Sequence, residues 1–379
     1  MQQVTELVAI SIPGGPKFVD AVTRVWNDGN AFCVLDARLP KPEATRHLAA
    51  LGATLLLDET GLTTITANPD LVPLQAGDAL VLATSGSTGE PKAVIHTHDS
   101  IRASAEATSA ALAVDPTIDR WLACLPLSHI GGLSVVLRSL VTGCPVDVHP
   151  RFDAAEVERA GRQGATLVSL VTKALSQVNP KLFRTILTGG AAPPATRPTN
   201  VVATYGMTET GSGIVYDQTP IAGAELIIDD GGDILVRGPM LFRGYRDLAD
   251  PFEHDGWFRT GDHGRWAPTG ELVVEGRTGD VIVTGGEKVW PARTEAILRR
   301  IPEIDDAVVV GVTDPDWGQL VVAVITIHGS TPPSIDAIRS LVTAELPVWY
   351  APKQVEVRDS FVRSPLGKIL RNEIGVDGC

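Results

Sequence analysis

Cysteine is sparse in this chain: four residues in 379, at positions 33, 124, 144 and 379. No pair has C-x-x-C spacing, so neither a zinc site nor a disulfide framework is suggested. Scattered thiols suit a reducing cytosol, and a cytoplasmic location is the expectation. Positive charge is also in deficit. Asp and Glu number 45 against 32 Lys and Arg, a formal net charge of −13. That balance argues against a nucleic-acid surface. Any anionic ligand must be held by local donors, not by the global field. Long apolar runs are missing as well. The most apolar stretch, around Leu133 to Val148, is interrupted by Arg138 and Asp147. It is too short and too charged to span a membrane. The N-terminus has no basic region leading into an apolar one, so no signal peptide is expected. Internal repeats, low-complexity tracts and the Walker A pattern G-x-x-x-x-G-K-[ST] are all absent.

The apolar fraction, 44%, supports sizeable cores, and 379 residues exceed one ordinary compact domain, so two or three units are expected. From residue 1 to about 206, strand-like apolar runs alternate with helix-like segments. Ala31 to Leu35, Thr54 to Leu57, Trp121 to Leu125, Thr166 to Val171 and Val201 to Thr204 read as buried strands. Asp20 to Trp26, Pro42 to Leu51, Ser100 to Leu112 and Ala154 to Arg162 read as helices. Such alternation predicts an α/β unit, a mostly parallel sheet covered by helices. Between about 221 and 275 short strands and turns predict a small antiparallel or barrel-like subdomain. After Gly276 a helix starting near Pro291, strands Ala307 to Val312 and Leu320 to Ile327, a helix Ile335 to Glu345 and a strand Gln354 to Val357 predict a small α+β domain.

The densest chemistry lies in Thr84-Ser85-Gly86-Ser87-Thr88-Gly89-Glu90-Pro91-Lys92, directly after the apolar strand Ala79 to Ala83. Glycines permit tight turns that bring N–H groups and hydroxyls close to an anion. Lys92 adds a point charge, and a polyphosphate is the natural ligand. A plain surface linker is the competing reading of such a loop.

This loop resembles the phosphate-loop signature of the acyl-adenylate-forming (AMP-binding) enzymes: acyl- and aryl-CoA ligases, peptide adenylation domains and luciferases. The usual form ends Pro-Lys-Gly, and Ala93 departs from it by one methyl, expected to crowd the turn slightly without breaking the site. Further blocks resemble the same family in the family's order, between residues 80 and 374. Leu125 to Leu133 is similar to its substrate gate and implies His129 beside the acyl pocket. Leu187 to Pro193 is similar to the strand-and-glycine block whose backbone, at Gly189, Gly190 and Ala191, packs on adenine. In Thr204 to Thr210, Tyr205 offers a stacking face for adenine, with Gly206, Met207 and Thr208 lining the nucleotide. Glu209 is a hard carboxylate suited to Mg²⁺, and the resemblance implies Thr88 as its companion ligand. Trp257 to Asp262 resembles the ribose block, with Asp262 as acceptor and Arg277 also reaching the ribose. Thr278 and Gly279 correspond to the interdomain hinge, where the family often has a polar residue in place of Gly279. Gly285, Gly286 and Glu287 resemble the loop lining the thiol channel. Ser364 to Arg371 resembles the C-terminal block in which Lys368 is the catalytic lysine.

The resemblance implies an N-terminal AMP-binding domain over 1–277, with its β subdomain at about 221–275, and a mobile C-terminal domain over 278–379. It implies ATP, Mg²⁺ and coenzyme A as ligands, and a two-step reaction. A small-molecule carboxylate attacks the α-phosphorus of ATP, and a thiol then displaces AMP. Within the family the chain looks most like the o-succinylbenzoate–CoA ligases, in which short N-terminal regions occur. Arg138, nine residues after His129, would hold a second carboxylate. The competing reading is a helix arginine paired with a nearby acid. Ser169, Thr210 and Gly211 complete the expected acid pocket. Another acyl or aryl acid, a carrier-protein loader and a non-enzymatic adenylate-binding module stay open as alternatives. Oligomeric state is not readable, and a homodimer also stays open.

Overall fold

The computed structural model describes residues 5–65, 71–85, 91–190, 196–247, 250–363 and 369–376. Packing divides the chain into two units: Met1–Leu226 with Val236–Phe258, and Ile227–Leu235 with Arg259–Cys379.

The first unit is built on two seven-stranded sheets. In one, Leu7–Ser11 runs parallel to Ala31–Val34 and Leu55–Asp58, and Ala31–Val34 is parallel to Asp78–Ser85. Antiparallel strands finish its edges: Gly61–Thr64 on one side, Pro91–Thr97 and then Gly244–Tyr245 on the other. In the second, Val146–Val148, Trp121–Ala123, Leu167–Leu170, Thr185–Thr188 and Val201–Met207 run parallel. Ser212–Tyr216 and Thr219–Pro220 close it antiparallel. The sheets are therefore mixed, parallel at the centre, where a mostly parallel sheet is expected from the sequence. Short turns suffice for the antiparallel edges, whereas parallel neighbours need crossovers.

One core lies between the two sheets, where helices Pro16–Asn27, His98–Ala111 and Ile130–Thr142 contribute Phe18, Val22, Ile101, Leu133, Val136 and Leu137. The outer face of the first sheet packs on Leu51 of helix Lys41–Leu51, and that of the second on Val157 and Ala160 of helix Ala154–Arg162. Strands buried on both faces explain the continuous apolar runs. The helix Ile130–Thr142 is buried continuously from Gly132 to Arg138. A helix covered on all sides carries no apolar stripe, so its sequence reads as an apolar run and not as a helix. Gly132 lets it approach closely: a Cβ there would lie 2.5 Å from the carbonyl oxygens of Leu125 and Pro126.

The β subdomain expected near 221–275 is a four-stranded sheet of order Glu225–Ile228, Asp233–Arg237, Phe258–Trp266, Leu272–Arg277. In the second unit, Gly318–Ile327 lies between Ile304–Asp314 and the short hairpin Ile282–Thr284/Glu287–Val289, with Gln354–Val357 added in parallel. Helices Pro291–Leu298 and Ile335–Glu345 cover this sheet through Ile297, Leu298, Ile338 and Val342. Packing groups Ile227–Leu235 and the chain from Arg259 onward in the second unit, whereas 277 is the limit expected from the motifs. Trp290 stacks on His263 at 4.0 Å, and Arg293 reaches Glu275 at 3.5 Å. These contacts tie the helix after 277 to the hairpin before it. No helix among the described residues is long and apolar enough to cross a membrane.

Leu133 is fully buried between the sheets. Leu133→Ala is expected to lower unfolding free energy by about 2–5 kcal/mol, the range for a large-to-small core change. Chemical denaturation of the variant against the parent checks this.

Candidate active site

Thr84 pairs with Lys92 and Ser85 with Pro91 across two antiparallel strands. The connection between them, with Gly86, Ser87, Thr88 and Gly89, lies outside the described residues, as does Ala191. Ala93 sits in the strand and not in the turn. It pairs with Ala83, is 2% exposed, and its methyl joins the core under Leu7 and Ile95. The departure from glycine therefore adds a core methyl, and the crowding expected of it does not arise.

Lys92 Nζ lies over the ring of Tyr245, 5.1 Å from its centroid. The Tyr245 hydroxyl donates to Glu209 Oε1 at 2.8 Å. A cation, an aromatic ring and a carboxylate thus form one chain, and Tyr245 was not legible as a member. Tyr245 is placed by pairing with Val94 and by edge contact with Phe242 at 4.8 Å. The Phe242 N–H donates to the Glu209 carbonyl at 2.8 Å.

The turn bearing Glu209 is built with little freedom. Tyr205 pairs with Val215, and the register shifts at Gly206. A Cβ on Gly206 would stand 2.1 Å from the Ser212 carbonyl oxygen, so only glycine fits. A Cβ on Gly189 would meet Thr204 Oγ1 at 2.6 Å, and Gly190 has φ +80°. Thr210 accepts from the Met207 N–H at 2.9 Å and donates to the Ser212 carbonyl at 2.6 Å. Its hydroxyl closes the Thr208–Thr210 turn.

His96 is fully buried, with Nε2 2.7 Å from the Thr208 carbonyl and Nδ1 3.1 Å from Ser100 Oγ. A carbonyl only accepts, so Nε2 carries the proton and Nδ1 accepts from Ser100. Burial pushes the imidazole down to about 4, partly opposed by the Thr208 hydrogen bond. This histidine also escaped the sequence reading, which singled out His129 instead.

Arg138 lines a cavity with His96, Ser104, Ser134, Ile130 and Gly211. The side chain is almost wholly enclosed. Its Nη2 donates to Ser212 Oγ at 2.9 Å, and the guanidinium lies 5.3 Å from the centre of the Trp121 ring. Nε and Nη1 are buried and have no hydrogen-bond partner among the described residues. Burial depresses the basicity of this guanidinium. No carboxylate pairs with Arg138 among the described residues. His129, the residue before helix Ile130–Thr142, and Ser169, in Leu167–Leu170, do not line this cavity. His129 instead falls within electrostatic reach of Asp36, Arg38 and His47, and burial lowers its pKa.

In the second unit Arg277 Nε meets Asp262 Oδ1 at 2.9 Å, and Arg277 Nη1 donates to the Thr260 carbonyl at 3.0 Å. The two residues expected at the ribose therefore pair across one hairpin. Thr278 donates to Asp233 at 3.0 Å, and a Cβ on Gly279 would meet nothing within 4 Å. Gly285 and Gly286 have φ +58° and +86°, the left-handed pair that a two-residue hairpin turn requires before Glu287. Lys368 lies outside the described residues.

The depressed His96 gives a pH dependence with a definite sign. The unfolded imidazole titrates near the ordinary 6.5 and the native one near 4. Between these values the unfolded state binds more protons, so stability falls as pH drops from about 6.5 toward 4 and then levels off. The loss between pH 6.5 and 5 is on the order of 2 kcal/mol. His96→Gln is expected to flatten that part of the curve, measured as the parent–variant difference in denaturation midpoints at pH 7.5 and 5.

Residues 2–246 match the family described as AMP-binding enzyme, and residues 293–368 the AMP-binding enzyme C-terminal domain. A probable 2-succinylbenzoate–CoA ligase of Mycobacterium tuberculosis is 37% identical over 319 residues, covering 77% of this chain and 82% of that one. The 2-succinylbenzoate–CoA ligase of Geobacillus kaustophilus is 34% identical, covering 78% and 68%. The o-succinylbenzoate CoA synthetase of Bacillus subtilis, solved with the acyl-adenylate OSB-AMP, superposes with a TM-score of 0.85 at 28% identity, covering 98% of this chain and 88% of that one. The same protein was also solved with ATP and magnesium ion. The mixed sheets, the glycine-bound turn around Glu209 and these matches together place the chain in the AMP-binding enzyme family.

Proposed function

We propose that this protein is an ATP-dependent, AMP-forming acid–CoA ligase that converts o-succinylbenzoate to o-succinylbenzoyl-CoA. The observation that carries the choice of acid is Arg138, a buried guanidinium lining a cavity with two nitrogens unpartnered among the described residues. A buried cation without a counter-charge is costly, and a carboxylate that widens this cavity of about 10 Å³ to reach the guanidinium removes that cost. An acid with one carboxylate to activate and a second to anchor suits this arrangement, because guanidinium recognises carboxylate through paired hydrogen bonds. The relatives named for such an acid support the same reading.

Adenylation joins two anions, the acid and the α-phosphate. Lys92 and the preceding loop hold phosphate charge, Tyr205 and Gly189–Gly190 receive adenine, and Asp262 with Arg277 receives the ribose. Glu209 fits magnesium: one oxygen is fixed by Tyr245, and the other stays available to a hard cation. No group of three His, Cys, Asp or Glu among the described residues could hold a metal alone. The remaining ligands would be Thr88, phosphate oxygens and water, and the ion would supply charge neutralisation at the phosphates. Lys368 bridges acid and α-phosphate in the first step. Rotation about Thr278 and Gly279 then brings Gly285, Gly286 and Glu287 to the thiol path, a gating motion of a familiar kind. An ordinary backbone with open space at Gly279 leaves room for the polar residue common in relatives. Buried, unpaired Cys33, Cys124 and Cys144 support a reducing, cytoplasmic setting.

A panel of acids tests the assignment through AMP release with and without CoA. o-Succinylbenzoate should be turned over and plain benzoate or fatty acids only poorly; the reverse order overturns it. Arg138→Met should lower kcat/KM for the dianionic acid by roughly 10²–10³-fold, the scale of losing one partner of a buried charge pair. Its thermal midpoint should hold or rise, because an unpaired buried charge leaves the fold. Lys368→Ala should slow ATP–pyrophosphate exchange roughly 10²–10³-fold. Thioester formation from pre-made acyl-adenylate should survive in that variant.

A further inference from the structure

Two opposite charges of the nucleotide site, Lys92 and Glu209, sit on neighbouring elements of the first unit, yet no ion pair joins them among the described residues. Tyr245 touches both: its ring face lies 5.1 Å from Lys92 Nζ, and its hydroxyl donates to Glu209 Oε1 at 2.8 Å. We propose that Tyr245 is a positioning residue that keeps the phosphate lysine and the metal carboxylate apart and aimed, so that both stay available to Mg·ATP. This rests on the assignment of Lys92 to phosphate and Glu209 to the ion made above.

A lysine and a glutamate free to meet would collapse into a salt bridge. In a partly dehydrated site such a pair is stronger than in water. Incoming Mg·ATP would then have to break it. Tyr245 prevents this in two ways. The ring face holds the ammonium by cation–π attraction, which is weaker than a buried ion pair and more easily exchanged for phosphate. The hydroxyl occupies one carboxylate oxygen with a charge-assisted hydrogen bond and leaves the other open.

The tyrosine is itself rigidly held. Tyr245 is 8% exposed, and Gly244 and Tyr245 pair with Ile95 and Val94. Phe242 packs edge-on against its ring, and Phe252 and Phe258 pack on Phe242. Arg243 on one side grips the buried Asp78 through two 2.8 Å hydrogen bonds. Arg246 on the other donates to the carbonyls of Leu51 and Gly52. A two-residue edge strand anchored on both flanks is a stiff mount, as a positioning role requires.

Isothermal titration of ATP into the intact protein, across a magnesium series, tests this without turnover. Tyr245→Phe keeps the ring and loses the hydroxyl. It should bind metal-free ATP as the parent does, while the gain in affinity on adding magnesium falls roughly ten- to hundredfold, the scale of one hydrogen bond to a charged group. Tyr245→Leu loses the ring as well and should also weaken metal-free ATP binding. Melting temperature is followed in parallel. A merely structural tyrosine would lower the melting temperature and leave the magnesium gain intact, and that result in Tyr245→Phe overturns the proposal. Glu209→Gln and Lys92→Met calibrate the site. If Glu209→Gln keeps the parent's magnesium gain, the assignment of Glu209 to the ion is what fails. If Glu209→Gln abolishes the gain and Tyr245→Phe retains it, only the role of Tyr245 falls.

Discussion

The strand Pro91–Thr97 is the member on which the rest of the first unit's site depends. Near its start Lys92 pairs with Thr84. In its middle Val94 and Ile95 pair with Tyr245 and Gly244. Toward its end His96 holds the Thr208 carbonyl at 2.7 Å. Thr97 caps helix His98–Ala111, with Ser100 returning the hydrogen bond. A strand fixed along its whole length turns three separate chain segments into one constellation. The His96 contact spans 112 residues of chain. A buried imidazole held neutral satisfies two partners at once, donating through one ring nitrogen and accepting through the other. The Glu209 turn therefore hangs from the sheet by a hydrogen bond that remains whole at neutral pH.

Buried arginines show how the fold separates structure from recognition. Arg246 is enclosed and bonded: it donates to the carbonyls of Leu51, Gly52 and Val72, and it locks the edge strand to the end of helix Lys41–Leu51. Arg243 is matched by a buried carboxylate, Asp78. Arg138 has neither remedy, only one hydroxyl and an aromatic face. Two buried arginines and the partly exposed Arg243 thus carry very different residual demand for an anion. Stability alone would not place an unsatisfied guanidinium between two sheets, since apolar residues of that volume pack there at less cost. The demand is instead directed at whatever enters the cavity that Arg138 shares with Gly211, two residues beyond Glu209.

Much of the site was legible because contiguous blocks of the chain resemble a known family. The blocks holding Gly189, Gly206, Gly285 and Gly286, and the one holding both Tyr205 and Glu209, are assigned by that resemblance. The structure adds the constraint each glycine answers, within a few positions or on the adjoining strand. The helix limits Ala154–Arg162 and Ile335–Glu345 and the strand Gln354–Val357 agree with the structure because caps and periodicity are short-range. Contacts made over long separations were not legible. Tyr245 meets Glu209 across 36 residues, His96 meets Thr208 across 112, and Arg243 meets Asp78 across 165. No local pattern distinguishes these side chains from ordinary polar ones. The helix Ile130–Thr142 was hidden for a different reason: enclosure on every side erases the periodicity by which helices are recognised.

The second unit extends the same logic to the hinge. A boundary drawn from motif order falls at Arg277, yet Glu275, just before it, is enclosed and lies within 3.5 Å of both Arg265 and Arg293. Trp290 stacks on His263 beside them. Packing therefore continues smoothly through 277 in this arrangement, even though Gly279 imposes no steric limit of its own. A hinge at Thr278 and Gly279 would consequently be governed less by backbone freedom than by the release of the Glu275–Arg293 pair and the His263–Trp290 stack. Ion pairs whose arginine still reaches solvent contribute little each, typically under about 1 kcal/mol, and an aromatic stack adds about as much again. Interactions of that size hold one arrangement without trapping it, which is the condition an alternating two-step enzyme has to meet.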